Sequence, residues 1–352
     1  MLAVLLLCPP APGQLPHDSL QAGVQIDRKH HRIVIVAGPF NLRPGHQHMP
    51  ETVSMGAGGH DAGMACYIVW PFRSWFRGYR SEVLDATGRP LPRDLLHHFT
   101  LVNFDRRMLL YPFPERLAGA RLNSEDVTVP KRIGAPMRPG MRLGLYLMWH
   151  NYMPHEVTGV FLRLTLRYAP ANLQPRPINA LPVVLYANRE PRSNHVYDAP
   201  PGHSERRAIV RFPISGHLVG VGGHLHDYGT LVRLEDVETG KTVVELRARY
   251  DTQGRLLGVD RKLFAIQGQG LRVRANHQYA IVAVYDNPTS DSLRDVMGEI
   301  MSVFAPDRMR EWPSVSVEDS DYVADLSSYG LTGIPDSLTA ASPAVRPDGM
   351  RP

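Results

Sequence analysis

The chain has almost no cysteine: Cys8 and Cys66 are the only two in 352 residues. That excludes a disulfide framework as the source of its stability. It has no continuous apolar run near the roughly 18 residues that cross a bilayer, so no transmembrane span is expected. It also lacks blocks of like charge. Lys and Arg number 39 against 34 Asp and Glu, for a net charge of +5, and the bases are scattered among the acids. Nucleic acid is therefore not an expected partner. The apolar stretch from Met1 to Leu7, followed by Pro9-Pro10-Ala11-Pro12-Gly13, looks like the end of a signal peptide without its basic beginning. This reads as an exported protein, periplasmic or extracellular, with a truncated or misplaced start. Leu6-Leu7 before Cys8 is a poor lipidation signal. Removal of a leader that included Cys8 would leave Cys66 without an intrachain partner.

At 43% hydrophobic residues the chain can bury a substantial core and has room for two domains. Few long helical patterns occur, and 31 prolines and 30 glycines punctuate the sequence. Period-two apolar patterns over 32–36, 98–102, 160–166, 208–212, 242–248 and 279–285 predict strands. Thr87-Gly88, Thr239-Gly240 and Gln253-Gly254 supply hairpin turns. The expected fold class is all-β: two tandem antiparallel β-sandwich, jelly-roll-like domains. The Pro-rich run from Ala169 to Pro177 divides them. Residues 1–26 read as leader and flexible N-terminus, 27–170 as the first domain and 171–311 as the second. The polar stretch 312–352, without periodicity, reads as a disordered tail.

The chemistry lies in histidine and methionine. His224-Leu225-His226 is flanked by a Val- and Gly-rich strand and an Asp227-Tyr228-Gly229 turn. Residues i and i+2 of a strand share a face, so one ion can be gripped by both rings. The neighbouring glycines leave room for an ion or substrate to approach the backbone. His97 and His98 would point to opposite faces of a regular strand, so they share an ion only if the backbone is distorted there. His150 follows an apolar strand, and Met297 offers a thioether, which is useful mainly to a soft ion such as Cu(I). Alone, none of these discriminates. A His-x-His is common in a chain with 16 histidines, and a methionine near a strand is usually core packing. Their order and spacing together carry the signal. A second donor-rich stretch, His46, His48, Met49, Met55, His60 and Met64, has the composition of a copper-acquiring arm or of a polar loop. Met153 and His155 lie beside His150.

This ordered set is similar to the copper type II, ascorbate-dependent monooxygenases, the family of peptidylglycine α-hydroxylating monooxygenase and dopamine β-monooxygenase, and to the plant stress-up-regulated nodulin-like proteins and their bacterial relatives. Leu95-Leu96-His97-His98-Phe99-Thr100-Leu101-Val102 resembles the family's His-His motif and strand. The segment Leu145 to Tyr152, followed by Thr158 to Thr165, resembles the strand of the third histidine and the one after it. Gly223 to Gly229 resembles the His-x-His-x-x-Gly motif, and Asp295 to Met301 the segment that supplies the thioether. The likeness spans about 30 to 310.

The resemblance implies two copper ions per chain. His97, His98 and His150 would hold an electron-storing copper, and His224, His226 and Met297 the copper that meets O2 and carries out C–H hydroxylation. Ascorbate or another one-electron donor would reduce both, and a small molecule would be the substrate. Met301 is the rival thioether. The pattern departs from the peptide-amidating branch at Gly222, where a basic residue grips a carboxylate, at Glu299 in place of asparagine, and at Met301 in place of tyrosine. Peptidylglycine specificity is therefore not implied. Two other readings stand beside the enzyme: an exported copper-binding, storage or stress protein with the same sites and no hydroxylase activity, and a zinc-binding sandwich, which would have little use for a thioether.

Overall fold

The computed structural model describes residues 20–48, 54–55, 60–61, 63–121, 126–188, 195–264 and 270–328. The chain is all-β, built as two pairs of packed sheets. In the first unit the major strands are β1 (Arg32–Leu42), β2 (Ser74–Leu84), β3 (Leu96–Arg107), β4 (Pro114–Arg121), β5 (Arg142–Asn151) and β6 (Val157–Pro170). One sheet runs Gly23–Asp27, β1, β6, β2, Ile133–Met137, Ile178–Asn179. The other runs Gly45–His48, β5, β3, β4, with Gly63–Val69 also on β5. Side-chain alternation decides which face is buried. Leu143, Leu145, Leu147 and Trp149 of β5 meet Leu162, Leu164 and Leu166 of β6 in the core between the sheets. Tyr146 and Met148 of β5 take the opposite face.

Beyond Ala180 the chain enters the second unit: β7 (Leu181–Tyr186), β8 (Gly202–Arg211), β9 (Gly216–Leu225), β10 (Gly229–Asp236), β11 (Thr242–Tyr250), β12 (Arg261–Leu263), β13 (Gln278–Asn287) and β14 (Gly298–Pro306). One sheet is ordered β7-β14-β9-β12; its partner is β8-β13-β10-β11 with Leu256–Val259 at the edge. Val221 and Leu225 of β9, Ile300 and Phe304 of β14, and Ile281 and Tyr285 of β13 fill the space between. Five of the six segments read as strands from their alternation lie within strands, and the sixth, 208–212, runs one residue past the end of β8. The three turn glycines, Gly88, Gly240 and Gly254, have φ of 85°, 66° and 76°, a region that only glycine enters without cost.

Two expectations are corrected. Residues 312–328 do not form part of a disordered tail. Trp312 Nε1 donates to the Arg107 carbonyl at 3.0 Å, and a helix, α1 (Ser320–Ser328), docks on the first unit. Asp319 caps it by accepting from the Asp321 and Tyr322 amides. Tyr322 and Leu326, four residues apart on one helix face, pack on Val102, Phe104, Tyr146 and Met148. The Tyr322 hydroxyl donates to Phe104 O at 2.8 Å, and Arg116 grips Asp325 through two 3.0 Å bonds. Polar composition hid this short amphipathic turn, which uses few apolar residues. Residues 329–352 and 1–19 lie outside the described residues. Cys66, buried in the core, is disulfide-bonded. Gly223 leaves room for protein rather than ligand: a Cβ there would stand 2.3 Å from Val259 Cγ1 and 2.9 Å from Val232 Cγ1, inside the second core. Among the described residues no helix is long and apolar enough to cross a membrane.

The outer face of the β7-β14-β9-β12 sheet is turned to the first unit. Tyr186 and Val184 of β7 pack with Met108, Tyr111 and Phe113 from the loop after β3. Val219, Val303 and Ala305 pack with Ile133. Two apolar seams thus border the middle of this sheet face.

Candidate metal centres

The first histidine cluster depends on an irregularity. In the β3–β5 ladder Met148 pairs with His98, but the next residue, Trp149, pairs with Leu96. His97 is the extra residue of a β-bulge. Leu96 and Phe99 both point into the core, so the bulge leaves His97 and His98 together on the other face. His150 joins them there, since Trp149 before it faces the core. The His97 ring centroid lies 5.4 Å from that of His98 and 6.2 Å from that of His150. His97 Nδ1 and His98 Nε2 are both out of reach of solvent. Tyr152 stacks on His150 with centroids 3.5 Å apart and is 55% exposed. Buried Asn151 builds the turn at this end, donating to Leu42 O and His155 O and accepting from the Met153 amide. Met153 packs against the core and His155 is exposed, so both residues serve this turn. The Gly45–His48 backbone pairs with β5, placing His48 opposite Trp149. The side chains from His46 to Met64, and Met49 altogether, lie outside the described residues.

The second cluster depends on regular register. His224 is paired with Glu299 and Leu225 with Gly298, so the ladder continues toward His226 and Met297. Directly paired residues share a face. One row across the outer face is therefore Tyr186, Glu299, His224, and the next is Val184, Met301, Gly222, Arg261. The His224 and His226 ring centroids are 5.2 Å apart. Met297 is 3% exposed, whereas Met301 is 41% exposed on the open part of the face. Left-handed backbone brackets the cluster at Tyr228 (φ 67°) and Asp295 (φ 53°), conformations that bulky residues rarely adopt without tertiary support.

Three residues here carry weight that sequence reading did not assign. Glu299 was read only as a departure from a motif; it is a carboxylate just 5% exposed, directly opposite His224. Tyr285 was read as a strand residue; its hydroxyl accepts from the His226 amide at 2.9 Å and donates to the Met297 carbonyl at 2.5 Å. Burial pushes this phenol far above its ordinary range, so it remains a donor at any working pH. Arg261 crosses the gap left at Gly222, its Cγ 3.4 Å from where a Cβ would stand. The aliphatic stem of Arg261 therefore borders that position from the neighbouring strand. Burial pushes the Tyr79 phenol of the first unit well above its ordinary range, an effect the Arg261 charge partly offsets; the Tyr79 hydroxyl donates to Gly119 O on the strand that pairs with His98. Tertiary pairing, which no local pattern reports, was needed to find all three.

Among the described residues, no three His, Cys, Asp or Glu side chains stand in one ready coordination shell. No family model and no curated protein matches the chain. Among solved structures it is similar to PNGF-II, with 10% identity, a TM-score of 0.36 and coverage of 76% of this chain and 65% of that one. It is also similar to an archaeal-virus turret protein with a triple jelly roll, with 12% identity, a TM-score of 0.19 and coverage of 80% and 60%. The chain thus spans less than two thirds of the length of either.

Proposed function

We propose that this protein is a copper-dependent monooxygenase of exported location that hydroxylates a C–H bond of a small molecule, using O2 and ascorbate or an equivalent one-electron donor. The observation that carries this reading is that one buried hydroxyl, that of Tyr285, takes both the His226 amide and the Met297 carbonyl as partners, so the two residues are neighbours although far apart in sequence. Two imidazoles with a thioether form a donor set suited to copper in its reduced state. Ring spacing supports the fit. With a metal–nitrogen bond of about 2 Å, two rings sharing an ion have centroids about 5–6 Å apart; His224–His226 and His97–His98 lie at 5.2 and 5.4 Å, and His97–His150 is wider at 6.2 Å. The first cluster would complete its shell by small ring rotations.

Copper, when bound, would supply one-electron transfer and activation of dioxygen. The chain's own residues have separate tasks. His97, His98 and His150 would hold the electron-storing ion, and His224, His226 and Met297 the oxygen-binding one. Substrate would rest on the outer sheet face against Met301 and Gly222. The seams at Tyr186 and at Val303 would exclude water from either side. Glu299 provides a carboxylate beside His224 that would orient its ring or receive a proton. The net conversion takes R–H, O2, two electrons and two protons to R–OH and water.

The test is copper reconstitution followed by turnover. Two ions per chain are expected, His97→Ala should lose one and keep the other, and the loaded protein should add one oxygen atom to a component of a metabolite pool when supplied with ascorbate and O2. Failure to bind copper would end the metal reading. Tight binding of two coppers with only uncoupled oxygen consumption across such pools would instead favour a copper carrier.

A further inference from the structure

We infer that Tyr285 is the positioning residue that sets the distance between His226 and the sulfur donor of Met297. This deepens the copper reading of the second cluster and rests on it only in part. The geometry that supports the role is independent of any metal.

His226 and Met297 stand at the ends of their strands, where the β9–β14 ladder stops supplying hydrogen bonds. Leu225 and Gly298 form its last pair. Beyond that point a bond from the opposite sheet reaches both residues. Tyr285 is on β13, 1% exposed, with its ring in the core between the sheets. One hydroxyl accepts from the His226 N–H and donates to the Met297 C=O. The oxygen uses one lone pair and its single proton on these two partners, so the backbones of the two donors are fixed to one atom.

The rest of the neighbourhood fixes that atom. Gly229 pairs with Tyr285 across the β10–β13 ladder, and the Gly229 amide closes the turn onto His226 O at 3.1 Å. The Asp286 amide donates to Tyr228 O at 3.0 Å, holding the left-handed residue of the same turn. On the Met297 side, Gly298 lies against β13 so closely that a Cβ would stand 2.2 Å from Ala283 Cβ. The spacing of imidazole and thioether is thus tied to β13 through Tyr285.

The role can be separated from ordinary core packing because a second buried tyrosine lies beside the first. Tyr197 contacts Tyr285 edge-on, with ring centroids 6.1 Å apart. Its hydroxyl is buried and makes no hydrogen bond. Tyr285→Phe and Tyr197→Phe each delete one buried phenol oxygen from the same core and keep the ring. Only the first deletes the bridge.

The experiment measures amide hydrogen exchange at His226 in the metal-free proteins, then Cu(I) and Cu(II) affinity of the second cluster in the copper-loaded ones. Tyr285→Phe should accelerate His226 exchange and weaken Cu(I) binding about tenfold, the equivalent of one lost buried hydrogen bond. Cu(II) affinity should fall much less, because the oxidised ion relies on the nitrogen donors. Tyr197→Phe should leave all three unchanged. Equal effects of the two variants, or unchanged His226 exchange in Tyr285→Phe, would overturn the proposal. If the wild-type second cluster takes no copper, the metal reading fails while the exchange comparison still decides whether Tyr285 positions His226.

Discussion

His97 and His98 share a face because a bulge interrupts their strand, whereas His224 and His226 share one because their strand is regular. The first arrangement is local. Its ring cluster lies at a strand end, with Tyr152, more than half exposed, stacked on His150. The second is not local. It joins β9 and β14, borders the interface between the units, and is tied by a buried hydroxyl to the facing sheet. Similar donors can therefore be gathered with different rigidity. A bulge adapts by small backbone shifts, while a donor pair tied to a core tyrosine resists them. That difference would suit the proposed electron store on one side and the proposed substrate- and oxygen-binding site on the other.

The sharpest way to break this comparison is Met297→Ile. It should abolish hydroxylation and remove the sulfur scatterer from the X-ray absorption of the reduced second site, leaving copper at His97, His98 and His150 in place. Survival of the sulfur signal would move the thioether to Met301, which sits on the same face opposite Gly222. Absence of sulfur in the wild type as well would sink the donor set proposed for that cluster.

A smaller effect is expected from Gly298→Ala. The added methyl would collide with Ala283 at 2.2 Å, forcing β14 away from β13 at an expected cost of about 1–3 kcal/mol in folding stability. Chemical denaturation should show that loss, and Cu(I) affinity should fall at the second cluster alone. An equal loss at the first would show that the two clusters are not built independently.

The smallest effect belongs to Tyr152→Ala. Removing an exposed ring should change folding stability by less than about 0.5 kcal/mol. It should uncover His150 and strengthen the binding of an added anion such as azide to the first copper, read by electron paramagnetic resonance. A response confined to the second copper would contradict the assignment of Tyr152 to the first cluster.

Much of this organisation was legible in the sequence, though unevenly. Alternation in Val160 to Leu166 or Tyr279 to Tyr285 reports a half-buried strand because side-chain direction has period two. A His-x-His on such a strand announces a shared face for the same reason. His97-His98 posed a question that the sequence could not answer, since a bulge is decided by the partner strand. The Asp- and Ser-rich composition around Tyr322 suggested disorder. Yet Tyr322, Asp325 and Leu326 needed only a docking surface on Val102 and Phe104, together with Arg116, to hold a helix.

The sequence by itself determined the all-β class, the strands and turns, and the candidate donors, because these follow from local periodicity and donor chemistry. Only the tertiary structure decided which donors meet. The pairing of His224 with Glu299, the gap at Gly222 bordered by Arg261, and the reach of Tyr285 to both His226 and Met297 all depend on register and on the packing of one sheet against another. The physical reason is that a strand's pattern specifies its faces but not its neighbours. Its neighbours are chosen by the whole core, through the burial of side chains far apart in sequence.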